Sequence, residues 1–183
     1  MSNTHIALKE WSTIVDAIGR GEQLLLVRKG GIADPGEGFQ LKHREFFLYP
    51  TWEHQKPELL RPEFRARIQP SADARQVPLQ VYAGVALQKE VKDLSKLAAL
   101  NKYHLWGEEF FKERQAYKPE LPTQVLVVRA FRLRTPTPHP VAEEYAGCKS
   151  WVDLTDEVSF KGAEPVIENK KFVEAVNEID SLL

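Results

Sequence analysis

A single cysteine and the lack of any long hydrophobic run set the first limits on this 183-residue chain. The strongest apolar run is Leu24-Leu25-Leu26-Val27, far short of the roughly 20 residues that a membrane-spanning helix needs. The N-terminus carries charge and a helix-like period where a signal peptide would carry an apolar block. A lone Cys148 has no partner for an internal disulfide, which suits a reducing compartment, and a cytoplasmic location is expected. Its neighbours Gly147 and Lys149 supply no base to activate it, so Cys148 reads as a structural thiol. Also missing are a phosphate-binding P-loop, a dinucleotide fingerprint, a nucleophile elbow and a cysteine metal cluster. His5, His104 and His139 are scattered. No cofactor and no metal are expected.

Neither sign of charge dominates. The net charge is -1, with 28% charged, 43% hydrophobic and 10% aromatic residues. That composition supports one well-packed domain over residues 1–183 and is short for two. The balance conceals an asymmetry: Asp153 to Leu183 carries a net -5, leaving +4 on the rest. A modestly basic body permits an anionic partner, and the acidic C-terminal segment is a candidate protein contact.

Periodicity gives the organisation. Ala7, Leu8, Trp11, Ile14, Val15 and Ile18 follow one helical face, predicting a helix over Ile6 to Arg20 that Gly19 and Gly21 end. Gln23 to Lys29 is apolar on both faces, as in a buried strand. Gly30, Gly31, Pro35, Gly36 and Gly38 then mark a loop able to approach a ligand. Phe39 to Tyr49 reads as a strand whose apolar parity switches, and a bulge or bend near Lys42 to Glu45 reconciles it. Five prolines between residues 50 and 78 restrict that stretch to short helices.

Leu79 to Val91 alternates as a strand, with Leu79, Val81, Ala83, Val85 and Leu87 on one face. Asp93 to Tyr117 is helical, in two pieces joined near Asn101, with Tyr103, Trp106, Phe110 and Tyr117 as a core stripe. Gln124 to Arg134 is a strand that Pro136, Pro138 and Pro140 close. Ala146 to Leu154 is a short strand. A final acidic helix over about 169–183 turns Phe172, Val173, Val176, Ile179 and Leu182 inward. This order lacks the alternation of a doubly wound fold. It predicts an α+β class: a small, mostly antiparallel sheet or barrel with helices packed at its ends.

Residues 28 to 55 concentrate the chemistry. Arg28, Lys29, Lys42 and Arg44 suit phosphates, and Tyr49 or Trp52 suits stacking on an unpaired base. His43, His54, Gln40 and Gln55 are polar types that read a base edge. Lys29, Glu53 and His54 are the acid–base candidates, and His43 with Glu45 shares a face if no bulge intervenes. Gln40-Leu41-Lys42 matches the tail of a metal-nuclease signature, but Asp34 and Glu37 share one short loop, a poor arrangement for ligands on neighbouring strands. Arg129 lies on the apolar side of its strand, where a carboxylate partner or a polar pocket is expected.

Three motifs carry a family resemblance: Arg-Lys-Gly-Gly-Ile at 28–32, Phe-Leu-Tyr-Pro-Thr-Trp-Glu-His-Gln at 47–55, and Tyr-Ala-Gly-Cys-Lys-Ser-Trp-Val at 145–152. Together they resemble an uncharacterised bacterial domain-of-unknown-function family, number 1802, across nearly the whole chain. The resemblance implies a link to restriction, defence or other DNA transactions, and no catalytic residue is carried over from it. A looser similarity, in the helix, the turn Gly21-Glu22-Gln23 and the strand ending in Arg28-Lys29, is to PUA-like domains of the ASCH type. Those mostly bind RNA or modified bases, and a few hydrolyse modified nucleosides. The expectation is a PUA-like nucleic-acid or nucleotide-binding module, with Arg28, Lys29, Lys42, His43, Arg44, Tyr49, Trp52 and Gln55 as its contacts. A small hydrolase of modified nucleosides and a non-catalytic interaction subunit are the alternatives.

Overall fold

The computed structural model describes residues 3–30, 38–71, 75–147 and 149–183. Cys148, Asp34, Glu37 and the Gly-rich turn at 31–37 lie outside the described residues. The fold is α+β. Its elements run β1 (Asn3–Trp11), α1 (Ser12–Gly19), β2 (Leu25–Arg28), β3 (Glu45–Thr51), β4 (Gln76–Val91), α2 (Glu108–Ala116), β5 (Thr123–Pro140), β6 (Trp151–Ser159), β7 (Glu164–Pro165) and α3 (Asn169–Leu182). Short 3-10 segments at Pro57–Leu59, Pro62–Arg67 and Leu94–Tyr103 fill the connections. Among the described residues the strands form one sheet in the order β2-β5-β4-β3-β1-β6, with β7 beside β5. Every pairing is antiparallel except β1 with β3. No helix of the described residues is long and apolar enough to cross a membrane.

The expected first helix is a correction. Residues 3 to 11 form a strand, and only Ser12–Gly19 is helical. β1 lies between β3 and β6 and buries both its faces, Leu8 in one core cluster and Ala7 in the other. A short sequence with apolar side chains on both faces satisfies a helical spacing by coincidence, and the pairing with two neighbours decides it.

Three further expectations shift. β3 begins at Glu45, so the parity switch marks the strand's start and no bulge is required. β5 runs through Pro136, Pro138 and Pro140 instead of stopping before them. These prolines occupy alternate positions, so their missing N–H groups fall on one edge of the strand and the other edge stays available to β4. β6 begins at Trp151, later than the predicted strand at 146–154. In β4 the register shifts between Leu79 and Val81, which sends Leu79 to one cluster and Val81, Ala83 and Val85 to the other.

α3 inserts Phe172, Ala175 and Ile179 into the core, while Val173 and Leu182 remain exposed, unlike the predicted inward set. Its acidic side chains are partly matched within the chain. Glu178 accepts from Lys102 Nζ and Tyr103 Oη at 2.7 Å each, and Asp180 meets Lys89 at 2.7 Å. Arg129 has no carboxylate partner among the described residues. Its guanidinium sits 4.6 Å from the Phe172 ring centre and its Nη1 is an unmatched buried donor, so a cation–π contact stands where a carboxylate partner or a polar pocket is expected.

The neck of the loop after β2 is tightly made. Gly30 has φ +95°, and a Cβ there would lie 2.8 Å from the Gly38 carbonyl carbon. Gly162 has a similar φ of +79° with nothing within 4 Å. Gly30→Ala should therefore lower stability by more than the roughly 1 kcal/mol expected for backbone strain alone at Gly162→Ala. Denaturant midpoints of the two variants measure the difference.

Candidate functional site

The parallel pair β1 and β3 ends together, with Trp11 opposite Thr51. From there the chain turns into α1 on one side and into Trp52–Gln55 on the other. Gln55 holds the two turns together. Its Oε1 accepts from Thr13 N at 3.2 Å, Thr13 Oγ1 at 2.9 Å and Ser12 Oγ at 3.3 Å. It thereby satisfies an orphan donor in the first turn of α1. The Gln55 oxygen is occupied by this capping. His54 takes φ 61°, a left-handed conformation uncommon outside glycine.

Arg28 bridges the curl of the sheet. Its Nη2 donates to the Lys9 carbonyl at 2.8 Å, and its Nη1 meets Glu10 Oε2 at 3.4 Å. Glu10 is buried, and its other oxygen accepts from Trp11 N at 2.8 Å. Because β5, β4 and β3 separate β2 from β1 in the sheet, this contact requires the sheet to bend round until the edge strand β2 reaches β1.

Lys29 is 2% exposed, and its Nζ donates to the carbonyls of Arg114 at 3.2 Å and Gln115 at 3.3 Å. Those carbonyls end α2, where the helix presents its negative pole. Burial pushes the Lys29 ammonium below its ordinary pKa; Glu120 opposes that shift and Arg114 adds to it. The Arg114 guanidinium lies 5.1 Å from the centre of the Phe110 ring, with Glu10 and Glu113 near enough to favour its charge. Among the described residues nothing accepts a hydrogen bond from it. Desolvation, with Arg28 nearby, lowers its pKa from the usual arginine value.

These groups line a cavity of about 250 Å³ at the ends of β1, β2 and β3. Five cationic side chains, Lys9, Arg28, Lys29, Arg114 and Lys149, surround it against the carboxylates of Glu10 and Glu53, with His54 at the wall. A second cavity of about 370 Å³ adjoins it, and Lys9, Thr51 and Glu53 belong to both. The second is lined chiefly by Tyr49, Trp52, Val77, Val141 and Tyr145. Burial, then the proximity of Tyr145, pushes the Tyr49 hydroxyl up to about 12, so it stays protonated. The Tyr145 hydroxyl accepts from Thr155 N at 2.7 Å and meets His139 Nε2 at 3.1 Å.

The structure divides the candidates. Arg28, Lys29, Glu53 and His54 line the cationic cavity, and Tyr49 and Trp52 line its neighbour. Lys42, His43 and Arg44 line neither. They precede Glu45, at the opposite end of β3 from Thr51, with Lys42 and Arg44 exposed and the His43 ring 5.2 Å from that of Trp151. Lys9, Glu10, Arg114 and Lys149 escape the sequence reading. For Glu10 the missed signal is its strand parity with Leu8, hidden while the segment reads as a helix. For Arg114 no local pattern distinguishes it from its charged neighbours. Among the described residues no three His, Cys, Asp or Glu side chains gather as a metal site.

The match to a known family is extensive, running from residue 7 to 178. The chain belongs to the family described as Domain of unknown function (DUF1802). No curated protein matches it. Among solved structures it is similar to ASCH from Zymomonas mobilis, at 8% identity and a TM-score of 0.44, covering 95% of this chain and 94% of that one. A mutant form of the same Zymomonas mobilis protein is 11% identical, with a TM-score of 0.42 over 99% of this chain and 97% of that one.

The Arg28–Glu10 contact yields a stability test. Removing the Glu10 charge leaves Arg28, Lys29 and Arg114 facing one another with less compensation. Loss of one member of a largely buried pair destabilises by about 3 kcal/mol or more. Glu10→Gln should lower the unfolding midpoint accordingly, and added phosphate should recover part of the loss more effectively than chloride at equal ionic strength.

Proposed function

We propose that this protein is a nucleic-acid or nucleotide-binding module, acting as a single domain, in which the paired cavities take a base and its phosphate. The observation that carries this reading is their adjacency. An aromatic cavity and a cationic cavity share a wall of Lys9, Thr51 and Glu53. A nucleotide has that same division: an apolar, stackable base beside an anionic phosphate, joined by a polar sugar. The aromatic cavity offers Trp52 as a partly exposed ring and Tyr49 as a protonated donor. Glu53, on the shared wall, would face the sugar hydroxyls or an amino edge of the base. Restriction or defence, implied by the family resemblance, is a setting in which such a module fits.

The proposed phosphate contacts differ from those expected from the sequence. Lys29 is buried against α2, so reversing its charge would disrupt packing and not report on binding. Lys149 is exposed at the cleft, with its Nζ 2.9 Å from the Glu144 carbonyl, and is the better probe. Single-stranded DNA and RNA oligonucleotides should bind with an affinity that falls steeply with salt. Lys149→Glu should weaken both the affinity and the salt slope with little change in melting temperature. Trp52→Ala should weaken binding by roughly 1 to 3 kcal/mol, the usual contribution of one stacked base. Salt-independent binding, or none at micromolar protein, contradicts the proposal.

The position of Glu53 beside the sugar site also favours testing a hydrolase. Incubation with modified nucleosides and oligonucleotides, with and without magnesium, should give no product. Product that disappears in Glu53→Gln would make the protein an enzyme, since loss of a proton-transfer group typically slows a reaction by about 100- to 10,000-fold.

A further inference from the structure

The charge around the smaller cavity exceeds what an ordinary strand phosphate needs. Among the described residues, five cationic side chains and two carboxylates line it, a formal excess of three positive charges. The carbonyls that hold Lys29 and Lys149 orient these ammonium groups and carry no formal charge. One of the two carboxylates, Glu10, is already shared between Arg28 and the Trp11 amide. Arg114 lines the cavity with its guanidinium against the Phe110 ring; burial and then Arg28 depress its ionisation, while Glu10 and Glu113 oppose that. Packing two guanidiniums and an ammonium together is unfavourable in the empty protein, and it becomes favourable when an anion of matching charge arrives.

An internal phosphodiester carries one negative charge. A phosphomonoester carries about -1.5 to -2 near neutral pH and offers three strong acceptor oxygens. Arginine forks match those oxygens in pairs, which a lysine cannot do. We infer that the cationic cavity seats a terminal phosphomonoester, on a nucleic-acid strand or a free nucleotide, and that Arg114 is the residue that reads it. This inference rests on the nucleotide reading of the paired cavities and narrows it to phosphorylated ends. Lys9 and Glu53, on the wall common to both cavities, then stand where the terminal sugar passes between base and phosphate.

The test uses the full chain and short single strands of one sequence bearing a 5′-phosphate, a 3′-phosphate or hydroxyls only. A nucleoside 5′-monophosphate and its parent nucleoside form a second set, all at matched ionic strength. One phosphorylated end should bind about tenfold more tightly than the hydroxyl strand, and the monophosphate should exceed its nucleoside by a similar factor. Arg114→Gln should abolish that gain, bringing phosphorylated and hydroxyl strands to the same affinity, and Arg114→Lys should restore only part of it. If Arg114→Gln does not fold, Arg114→Lys and competition by the monophosphate against a phosphorylated strand on the unaltered protein carry the test. A gain seen only with the free monophosphate supports the seat and assigns it to nucleotides. Equal binding of all ends, or a gain that survives Arg114→Gln, overturns the inference and leaves nucleic-acid binding intact. Failure of every strand and nucleotide to bind overturns both.

Discussion

The contact of Arg28 with the Lys9 carbonyl and the Glu10 carboxylate joins two strands that the sheet order keeps apart. Backbone pairing runs from β2 through β5, β4 and β3 to β1, and a side chain closes the path. The curl it holds brings the ends of β1, β2 and β3 to one place, and the cationic cavity exists because they meet there. Glu10 matters as much as Arg28, since a buried guanidinium without a carboxylate beside Lys29 and Arg114 would be strongly unfavourable. The same contact therefore serves folding and the site.

Around that junction several side chains serve placement more than recognition. Lys29 ties β2 to the last turn of α2 and so brings Arg114 to the cavity. Gln55 ties the turn after β3 to the first turn of α1. Between these two ties, Glu53 and His54 are presented on a short turn whose left-handed residue is held by its surroundings. Under the proposed function, the groups left to meet a ligand are Lys149, Arg114, Glu53, His54 and the ring of Trp52.

Much of the architecture is legible in periodicity. The central strands β4 and β5, the final helix and the short helices of the proline-rich stretch all follow from apolar spacing and proline placement. The first segment is not, because β1 buries both faces and its apolar residues happen to fall at helical intervals. The length of β5 is not either, since whether a proline ends a strand depends on which edge has a neighbour. For the site, the cluster at 28–55 contains Arg28, Lys29, Tyr49, Trp52, Glu53 and His54, which do line the two cavities. The same cluster contains Lys42, His43 and Arg44, which a strand's length carries to the far end of β3.

By itself the sequence determined the fold class, the absence of a long apolar helix and a segment that supplies Arg28, Lys29, Tyr49, Trp52, Glu53 and His54 to the walls of the two cavities. These depend on composition and on contacts between near neighbours, which a linear reading contains. Only the tertiary structure decided which of those groups face one another. Lys9, Glu10, Arg114 and Lys149 come from three separate parts of the chain, and nothing local distinguishes them from surface charges. Their meeting depends on the curl of the sheet and on how α2 packs against β2. Charge compensation in a cavity is a property of distances across space, and the sequence records only distances along the chain.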